Sequence, residues 1–300
     1  MLNFFYGLLQ LMRPLEWSKT FGNMLIAAVT AGIMIQADAS FLTTSGPDIT
    51  RFLIGFASLA LLWSGLYALN DYTDRKADAL HPEKKKRAIP SGKVPAKAAL
   101  AFSLTLVAAS IIVALYVNQT GLFLICVLAM LANQLMYTLK PFSLKKRPVV
   151  DLISGSLINP IFRFYAGWVL FVPAFNAPIE VLLFLLGIQF GGFGLYRMYS
   201  KDHEKRLGLK SSVVVFGGKA LRRLSYIALA IGGLSYLYAT FSVLRISYLF
   251  LGLAMALSLP FYKKGLKNPQ SIDHNKTYHM IYLQYMIFLA GFLLLYWFGI

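Results

Sequence analysis

Long apolar runs constrain this chain more than any other feature of its sequence. A helix needs about 20 mostly apolar residues to cross the hydrocarbon core of a bilayer, and nine segments approach that description. They lie at 21–37, 52–70, 99–117, 121–138, 149–171, 180–198, 222–240, 245–262 and 279–298. The chain is 58% hydrophobic, whereas soluble proteins are roughly 45–50% apolar. We therefore predict an all-α polytopic membrane protein with about nine transmembrane helices.

The basic residues predict how these helices are oriented. If the N-terminus is cytoplasmic, the segments on that face carry all but three of the 29 Lys and Arg residues. Lys and Arg concentrate in the cytoplasmic loops of membrane proteins. We therefore expect the N-terminus and the long loops to be cytoplasmic and the C-terminus to lie on the opposite side. The net charge of +17 then reflects topology, and no nucleic-acid partner is expected.

An acidic motif, NDYTDRKAD, runs from Asn70 to Asp78 at the end of the second apolar segment. Asp71, Asp74 and Asp78 are spaced by three and four residues, so they share one face if the helix continues through them. Three carboxylates on one face repel one another unless a cation neutralises them. Mg²⁺ prefers oxygen ligands and binds through one or two carboxylates plus substrate phosphates. We therefore predict that the three aspartates are metal ligands.

The same loop continues into a basic run, Lys84 to Arg87, and a turn at Pro90-Ser91-Gly92. Cations beside a metal-binding cluster are suited to the oxygens of a diphosphate that the metal does not take. We predict that Arg87 binds the substrate, because the turn fixes its backbone. Asn70 is predicted to bind the substrate as well.

A second charged cluster occupies the loop at 197–223, about 130 residues after the first. It contains Asp202 and Glu204 among basic residues that include Lys201 and Lys210. The two loops together hold half of the 12 acidic residues. We predict a second metal site at Asp202 and Glu204, and diphosphate contacts from Lys201 and Lys210. The chain is expected to be one domain over 1–300, with duplicated halves at about 1–140 and 141–300.

These motifs resemble those of the UbiA superfamily of intramembrane prenyltransferases, over most of the chain. Residues 70–78 fit the family pattern NDxxDxxxD completely, and 87–92 fit R-P-(I/L)-P-S-G except that Ala88 replaces proline. Residues 196–217 are similar to the second motif of the 4-hydroxybenzoate polyprenyltransferases, usually DxxxD, but Ser200 and Glu204 stand where the two aspartates are expected. This departure leaves open whether Asp202 compensates for Ser200.

The resemblance implies a central cavity surrounded by nine helices, two Mg²⁺ ions and an apolar tunnel open to membrane lipids. It implies transfer of an isoprenyl group from a prenyl diphosphate to a lipophilic acceptor, such as an aromatic quinone precursor. A stretch at 137–145 resembles a family segment, which adds Tyr137, Lys140 and Lys145 as substrate-binding candidates. An intramembrane charge such as Arg163 must face a cavity or pair with a carboxylate. We therefore assign Arg163, with Asp71 and Asp74, to the catalytic site.

Two alternatives stay open. The segment Trp17-Ser18-Lys19 and the pattern from Asp151 to Arg163 look like decaprenyl-phosphate phosphoribosyltransferases, which are UbiA relatives. Those enzymes transfer phosphoribose from phosphoribosyl diphosphate to a polyprenyl phosphate. A non-enzymatic transporter for an anion would also use intramembrane charges and interrupted helices, but it would not require NDxxDxxxD at a helix end.

Overall fold

The structure is a computed structural model that describes residues 2–37, 48–80, 84–117, 119–199, 201–206, 208, 210–257 and 274–299. Every regular element in these residues is helical, and no strand occurs among them. The α-helices are α1 (Leu2–Met12), α2 (Trp17–Ala37), α3 (Ile49–Ala79), α4 (Ala96–Val117), α5 (Leu122–Thr138), α6 (Val150–Ile153), α7 (Asn159–Trp168), α8 (Ile179–Tyr199), α9 (Lys201–Arg206), α10 (Ser212–Val215), α11 (Gly217–Ser242), α12 (Ser247–Leu257) and α13 (His274–Trp297).

The predicted all-α membrane architecture is confirmed. Six helical segments in the described ranges are long and apolar enough to cross a membrane, and α5 and α12 are shorter apolar helices. Each of the nine predicted segments corresponds to a helical region. The number nine stays a prediction, because 258–273 lie outside the described residues and include the end of the eighth segment.

The outer surface of the bundle is strongly apolar. Large hydrophobic side chains are exposed along the helices, among them Ile112 and Tyr116 on α4, Leu234 on α11 and Phe250 on α12. Soluble monomers rarely expose continuous apolar patches of this kind. These faces are therefore stable only when lipid covers them.

The core of the bundle forms around α2. Thirteen residues of this helix are buried, and the helix packs against α3, α7 and α13. It crosses α7 closely at Gly167, where a Cβ atom would collide with the backbone of Met24. Small residues allow membrane helices to approach this closely.

Two observed boundaries bear directly on the site. α3 does not end with its apolar segment near residue 70 but continues to Ala79, so the first acidic motif is helical as its spacing requires. The predicted segment 149–171 is interrupted by a π-helical turn at Ser154–Ile158. Pro160 has no N–H to donate within the helix, and the side chain of Asn133 on α5 holds the turn by donating to the Ser154 carbonyl and the Asn159 amide oxygen, at 3.1 and 2.8 Å.

We expect Gly167→Ala to destabilise the protein by about 1–3 kcal/mol or more, because the new methyl group would collide with backbone atoms that cannot move alone. The matched control is Gly233→Ala on α11, where a Cβ would meet nothing within 4 Å. Thermal unfolding of both variants in the same detergent checks this. If the two substitutions lower the melting temperature equally, the α2–α7 crossing is not as tight as the structure indicates.

Candidate active site

The first acidic motif occupies the last three turns of α3. Asp71 and Asp78 are both only 3% exposed, and Asp74 lies between them on the helix. Placing carboxylates at the end of a membrane helix is costly unless cations compensate them. Each of the three is in fact held by cations that come from other segments.

Arg87 joins two of these carboxylates. Its Nη1 atom donates to Asp71 Oδ1 at 3.0 Å and to Asp78 Oδ2 at 2.8 Å. The predicted turn fixes its backbone: Ser91 N–H donates to the Arg87 carbonyl, and Gly92 adopts φ +77°. Glycine reaches this left-handed conformation without a Cβ penalty. Arg87 therefore lies at the first acidic motif, and its role in substrate binding stays a prediction.

Arg13 supplies a second cation to Asp71. Its Nη2 donates to Asp71 Oδ1, and its guanidinium lies 5.1 Å from the centre of the Tyr67 ring. Burial alone lowers the pKa of Arg13, but the Asp71 carboxylate, Tyr67 and Glu16 outweigh that effect and raise it. Arg13 takes a left-handed φ of 51° between α1 and α2. Such backbone strain in a non-glycine residue clusters at functional sites.

Asp74 is bound from the other side by Lys145. The Lys145 ammonium donates to both oxygens of Asp74, at 2.8 and 2.9 Å, and to the Asn70 amide oxygen at 3.3 Å. Lys145 stands in a 3₁₀ turn at Leu144–Lys146. Asn70, Asp74 and Lys145, all predicted from the sequence as site residues, are thereby brought together.

A cavity of about 490 Å³ opens beside the Asp71 carboxylate. Its lining comes from the α1–α2 connection, from α3 and from the loop after α3, namely Gln10, Arg13, Pro14, Leu15, Glu16, Asp71, Lys86, Arg87 and Ala88. Burial and the positive charge of neighbouring Arg87 lower the pKa of Lys84, next to this lining. A bound anion with several oxygens would offset the positive charges of Lys84 and Arg87.

The second acidic cluster is built around Arg197, at the end of α8. The Arg197 guanidinium makes ion pairs at 3.0 Å with Asp151 and with Glu204. Ser211 Oγ donates to Glu204, and Ser212 donates to Asp151 through both its hydroxyl and its backbone N–H. Both carboxylates are buried, Asp151 completely. Glu204 therefore belongs to a buried cluster in which one guanidinium and two serines are shared by two carboxylates.

The two clusters are linked through the segment that precedes α6. Lys145 contacts Asp74, and four residues later Val149 N–H donates to Ser212 Oγ at 2.7 Å. The segment from Lys145 to Val149 thus connects the two clusters. The roles of Tyr137 and Lys145 in substrate binding stay predictions.

Arg163 lies deeper, in the membrane-spanning part of α7. It is 5% exposed, and its guanidinium stacks 3.8 Å from the centre of the Trp63 ring. Trp63 is two helical turns before Asp71 on α3. The structure therefore places Arg163 near the first acidic motif but not in direct contact with it.

Four predicted residues do not gather at either cluster. Lys140, Lys210 and Asp202 are exposed, and Lys201 is half-buried. Their roles in substrate or metal binding stay predictions, and Ser200 lies outside the described residues. No group of three His, Cys, Asp or Glu side chains within the described residues could hold a metal ion by itself.

Sequence reasoning missed four residues that form the second cluster with Glu204, which are Asp151, Arg197, Ser211 and Ser212. One signal was present: Asp151 is a carboxylate inside an apolar segment, and such a residue normally has a partner. Its partner is 46 residues away along the chain, so only the packing of α6 against α8 identifies it.

Three comparisons with known proteins agree on one family. The model of the "UbiA prenyltransferase family" matches residues 25–291. A decaprenyl-phosphate phosphoribosyltransferase from Corynebacterium glutamicum is 31% identical over 181 residues, 57% of this chain and 51% of the relative. A 4-hydroxybenzoate octaprenyltransferase from Pseudoalteromonas translucida is 24% identical over 255 residues, 83% and 81% of the two chains.

The fold has a counterpart among solved structures. A UbiA homolog from Archaeoglobus fulgidus, bound to GPP and Mg²⁺, matches with a TM-score of 0.74 at 20% identity, over 97% of this chain and 99% of that one. The chain spans about half the length of the phosphoribosyltransferase that it matches. Both resemblances noted in the sequence are thereby confirmed.

We expect Arg197→Met to destabilise the protein by about 3–5 kcal/mol, because it would leave two buried carboxylates without their shared cation. The control is Lys210→Met, which removes an exposed cation from the same loop. Thermal unfolding and the yield of monodisperse protein measure the difference. Equal stability of the two variants would mean that Asp151 and Glu204 are not held by Arg197.

Proposed function

Since this chain belongs to the UbiA prenyltransferase family, we propose that it transfers an isoprenyl group from a prenyl diphosphate to a lipophilic acceptor within the membrane. Members of this family are transferases. The observation that carries the proposal is the cavity at Asp71, where buried carboxylates and cations meet at the end of apolar helices. A substrate with a charged head and an apolar tail matches that arrangement.

Mg²⁺ fits the donor atoms at the first motif. Asp71 Oδ1 and Asp78 Oδ2 both accept hydrogen bonds from one nitrogen of Arg87, so these two carboxylates face the same side and would be the oxygens to hold a metal ion. Mg²⁺ commonly takes only one or two carboxylates and completes its shell with phosphate oxygens and water. When bound, it supplies Lewis-acid stabilisation of the departing diphosphate. The Archaeoglobus homolog, which binds GPP and Mg²⁺, supports this choice.

The chain's own cations then bind the diphosphate. Arg13, Arg87 and Lys145 are already placed around the three aspartates. With a divalent cation neutralising the carboxylates, these side chains become available for phosphate oxygens, to which Arg binds in a bidentate manner. Their charge stabilises the negative charge that develops on the leaving group.

The apolar environment protects the isoprenyl group after it separates from the diphosphate. When the C–O bond to the diphosphate breaks, the isoprenyl group becomes an allylic cation until the acceptor attacks it. Aromatic faces stabilise cations, and the chain has 23 Phe and 17 Tyr residues to provide them. Exclusion of water from the site prevents hydrolysis of this cation. The cytoplasmic location of the site is part of the proposal and rests on the distribution of basic residues.

Phosphoribosyl transfer to a polyprenyl phosphate is the second candidate. It is favoured by the Corynebacterium relative, which is 31% identical over its matched part. It is also favoured by the pairing of Glu204 with Arg197, since this chain lacks the usual pair of aspartates in the second motif. Both reactions use a diphosphate leaving group, so the first motif serves either one. An anion transporter has no comparable support.

The donor decides between the two reactions. We expect the purified chain, in native lipid extract with Mg²⁺, to transfer label from radiolabelled geranyl or longer prenyl diphosphates and not from phosphoribosyl diphosphate. Excess EDTA should abolish transfer, because it removes the divalent cation that we propose the aspartates bind. If label is transferred from phosphoribosyl diphosphate and not from the prenyl diphosphates, the second candidate is the correct reaction. Full activity in excess EDTA would show that the mechanism does not need a metal ion.

We expect Asp71→Asn and Asp74→Asn each to lower turnover by more than about 100-fold, since losing a metal ligand forfeits several kcal/mol of leaving-group stabilisation and about 1.4 kcal/mol is tenfold in rate. Steady-state kinetics with a labelled donor measure this.

The same assay tests the second motif. If Glu204 and Asp202 bind a metal, Glu204→Gln is severely and Asp202→Asn clearly impaired. If both keep near-normal turnover and Mg²⁺ dependence, the first motif holds the metal alone.

Turnover above a tenth of the unmodified enzyme in Asp71→Asn or Asp74→Asn would show that the carboxylate concerned is structural.

A further inference from the structure

The carboxylate oxygens of the second acidic cluster are occupied by the chain's own hydrogen-bond donors. Both oxygens of Glu204 pair with the terminal nitrogens of Arg197 at 3.0 Å, and Ser211 Oγ donates a further hydrogen bond. Asp151 Oδ2 accepts from Arg197 and from the Ser212 N–H, and its Oδ1 accepts from the Ser212 hydroxyl. Every oxygen of the two carboxylates therefore already has a partner within the protein.

The two acidic motifs also differ in their exposure. Asp71 lines the cavity of about 490 Å³, and the side chain of Asp74 is 34% exposed. Asp151, in contrast, is completely buried, and Arg197 pairs with it from the last turn of α8. A guanidinium stays protonated in proteins, so a metal ion at this place would leave a buried cation without its partners, which is strongly unfavourable. The second cluster therefore does not fit a second Mg²⁺.

The same cluster holds a strained residue of the backbone. Val149 adopts φ 69° and ψ −54°, a conformation that is unfavourable for a β-branched residue. Its side chain is 48% exposed, so close packing of that side chain does not impose the conformation. The Val149 N–H donates to Ser212 Oγ at 2.7 Å, and Ser212 is completely buried and bonded to Asp151. The Ser212 hydroxyl therefore ties the backbone of Val149 to the second cluster.

Val149 ends the short segment that carries Lys145. The segment begins at Ser143, a second non-glycine residue with a left-handed φ, and contains the 3₁₀ turn Leu144–Lys146. The Lys145 ammonium donates to both oxygens of Asp74, at 2.8 and 2.9 Å. Four residues span at most about 14 Å of chain, so the position of Val149 restricts the positions that Lys145 is able to reach.

We propose that the second acidic cluster binds no metal ion and instead positions Lys145 for the diphosphate at the first motif. Asp151 and Arg197 orient Ser212, Ser212 holds Val149, and Val149 fixes the turn that presents the Lys145 ammonium. Lys145 contacts the diphosphate, whereas Ser212 and Asp151 are positioning residues that act through it. This role rests on the diphosphate site of the proposed function and adds a task for the second motif in a chain that lacks the usual pair of aspartates there.

Binding of inorganic diphosphate to the full chain in lipid nanodiscs tests the positioning role, because both candidate reactions release that ion. With Mg²⁺ present, Ser212→Ala should weaken diphosphate binding about fivefold or more, since the Val149 N–H loses its acceptor and Lys145 its fixed position. Lys145→Met should weaken it about tenfold or more. The matched control is Ser211→Ala, which removes an equally buried hydroxyl that bonds to Glu204 and should leave diphosphate binding unchanged.

A double-mutant cycle separates positioning from a structural role. Because Ser212 acts through Lys145, Ser212→Ala should have no further effect on diphosphate binding in the Lys145→Met background. Hydrogen exchange of residues 143–149, measured without ligand, should be faster in Ser212→Ala than in Ser211→Ala. If Ser212→Ala does not give folded protein, Asp151→Asn replaces it in the same comparison, since it keeps the size of the side chain and weakens its bonds to Ser212.

The metal sites are counted separately with Mn²⁺, whose electron paramagnetic resonance signal distinguishes bound from free ions. Measurements are made with and without diphosphate on the unmodified chain and on two variants. Asp71→Asn should lose bound Mn²⁺, because it removes a carboxylate of the first motif. Glu204→Gln should keep as many bound ions as the unmodified chain, because no ion binds at the second cluster.

Three results would overturn the proposal. One is the loss of a bound Mn²⁺ in Glu204→Gln. Another is that Ser211→Ala and Ser212→Ala have equal effects on diphosphate binding or on the exchange of residues 143–149. The third is that the effects of Ser212→Ala and Lys145→Met on diphosphate binding add, because Ser212 would then act independently of Lys145. If the expected results hold but only phosphoribosyl diphosphate serves as donor, the proposed prenyl transfer fails and the positioning role stands.

Discussion

Compensation of buried negative charge is the constraint on which the rest of this structure depends. α3 carries three aspartates to one end of an otherwise apolar bundle, and two of them are almost fully buried. Their cations come from three separate places, Arg13 before α2, Arg87 in the loop after α3 and Lys145 before α6. The connections between helices are therefore tied to one another through α3, and two of them line the cavity that opens beside Asp71.

In the second half of the chain, Arg197 is the cation that pairs with buried carboxylates. Arg197 joins Asp151 and Glu204, and two serines complete the hydrogen bonds of these carboxylates. A guanidinium that is committed to two carboxylates holds α6, α8 and α9 in place, and its removal would leave both charges exposed to an apolar environment. The segment from Lys145 to Val149 connects this cluster to the first.

Among the described residues, Arg163 differs from these cations in that no carboxylate lies within salt-bridge distance of it. Its guanidinium stacks on Trp63, which stabilises the charge without neutralising it. The described part of the chain thus contains cations that are paired with buried carboxylates and one buried cation that is held by an aromatic ring.

Sequence patterns are enough to predict the membrane architecture, the helical face that carries Asp71, Asp74 and Asp78, and the turn that fixes Arg87. These features follow from local rules: the length of apolar runs, helical periodicity and the conformational freedom of Gly92. Which charges meet depends instead on the tertiary fold. Arg197 and Asp151 are 46 residues apart, and Arg13 and Asp71 are 58 apart. Arg163 on α7 contacts Trp63 on α3. Local patterns do not encode these pairs, because they arise from the packing of α2, α3, α7 and α8, which depends on close contacts such as Gly167 against Met24.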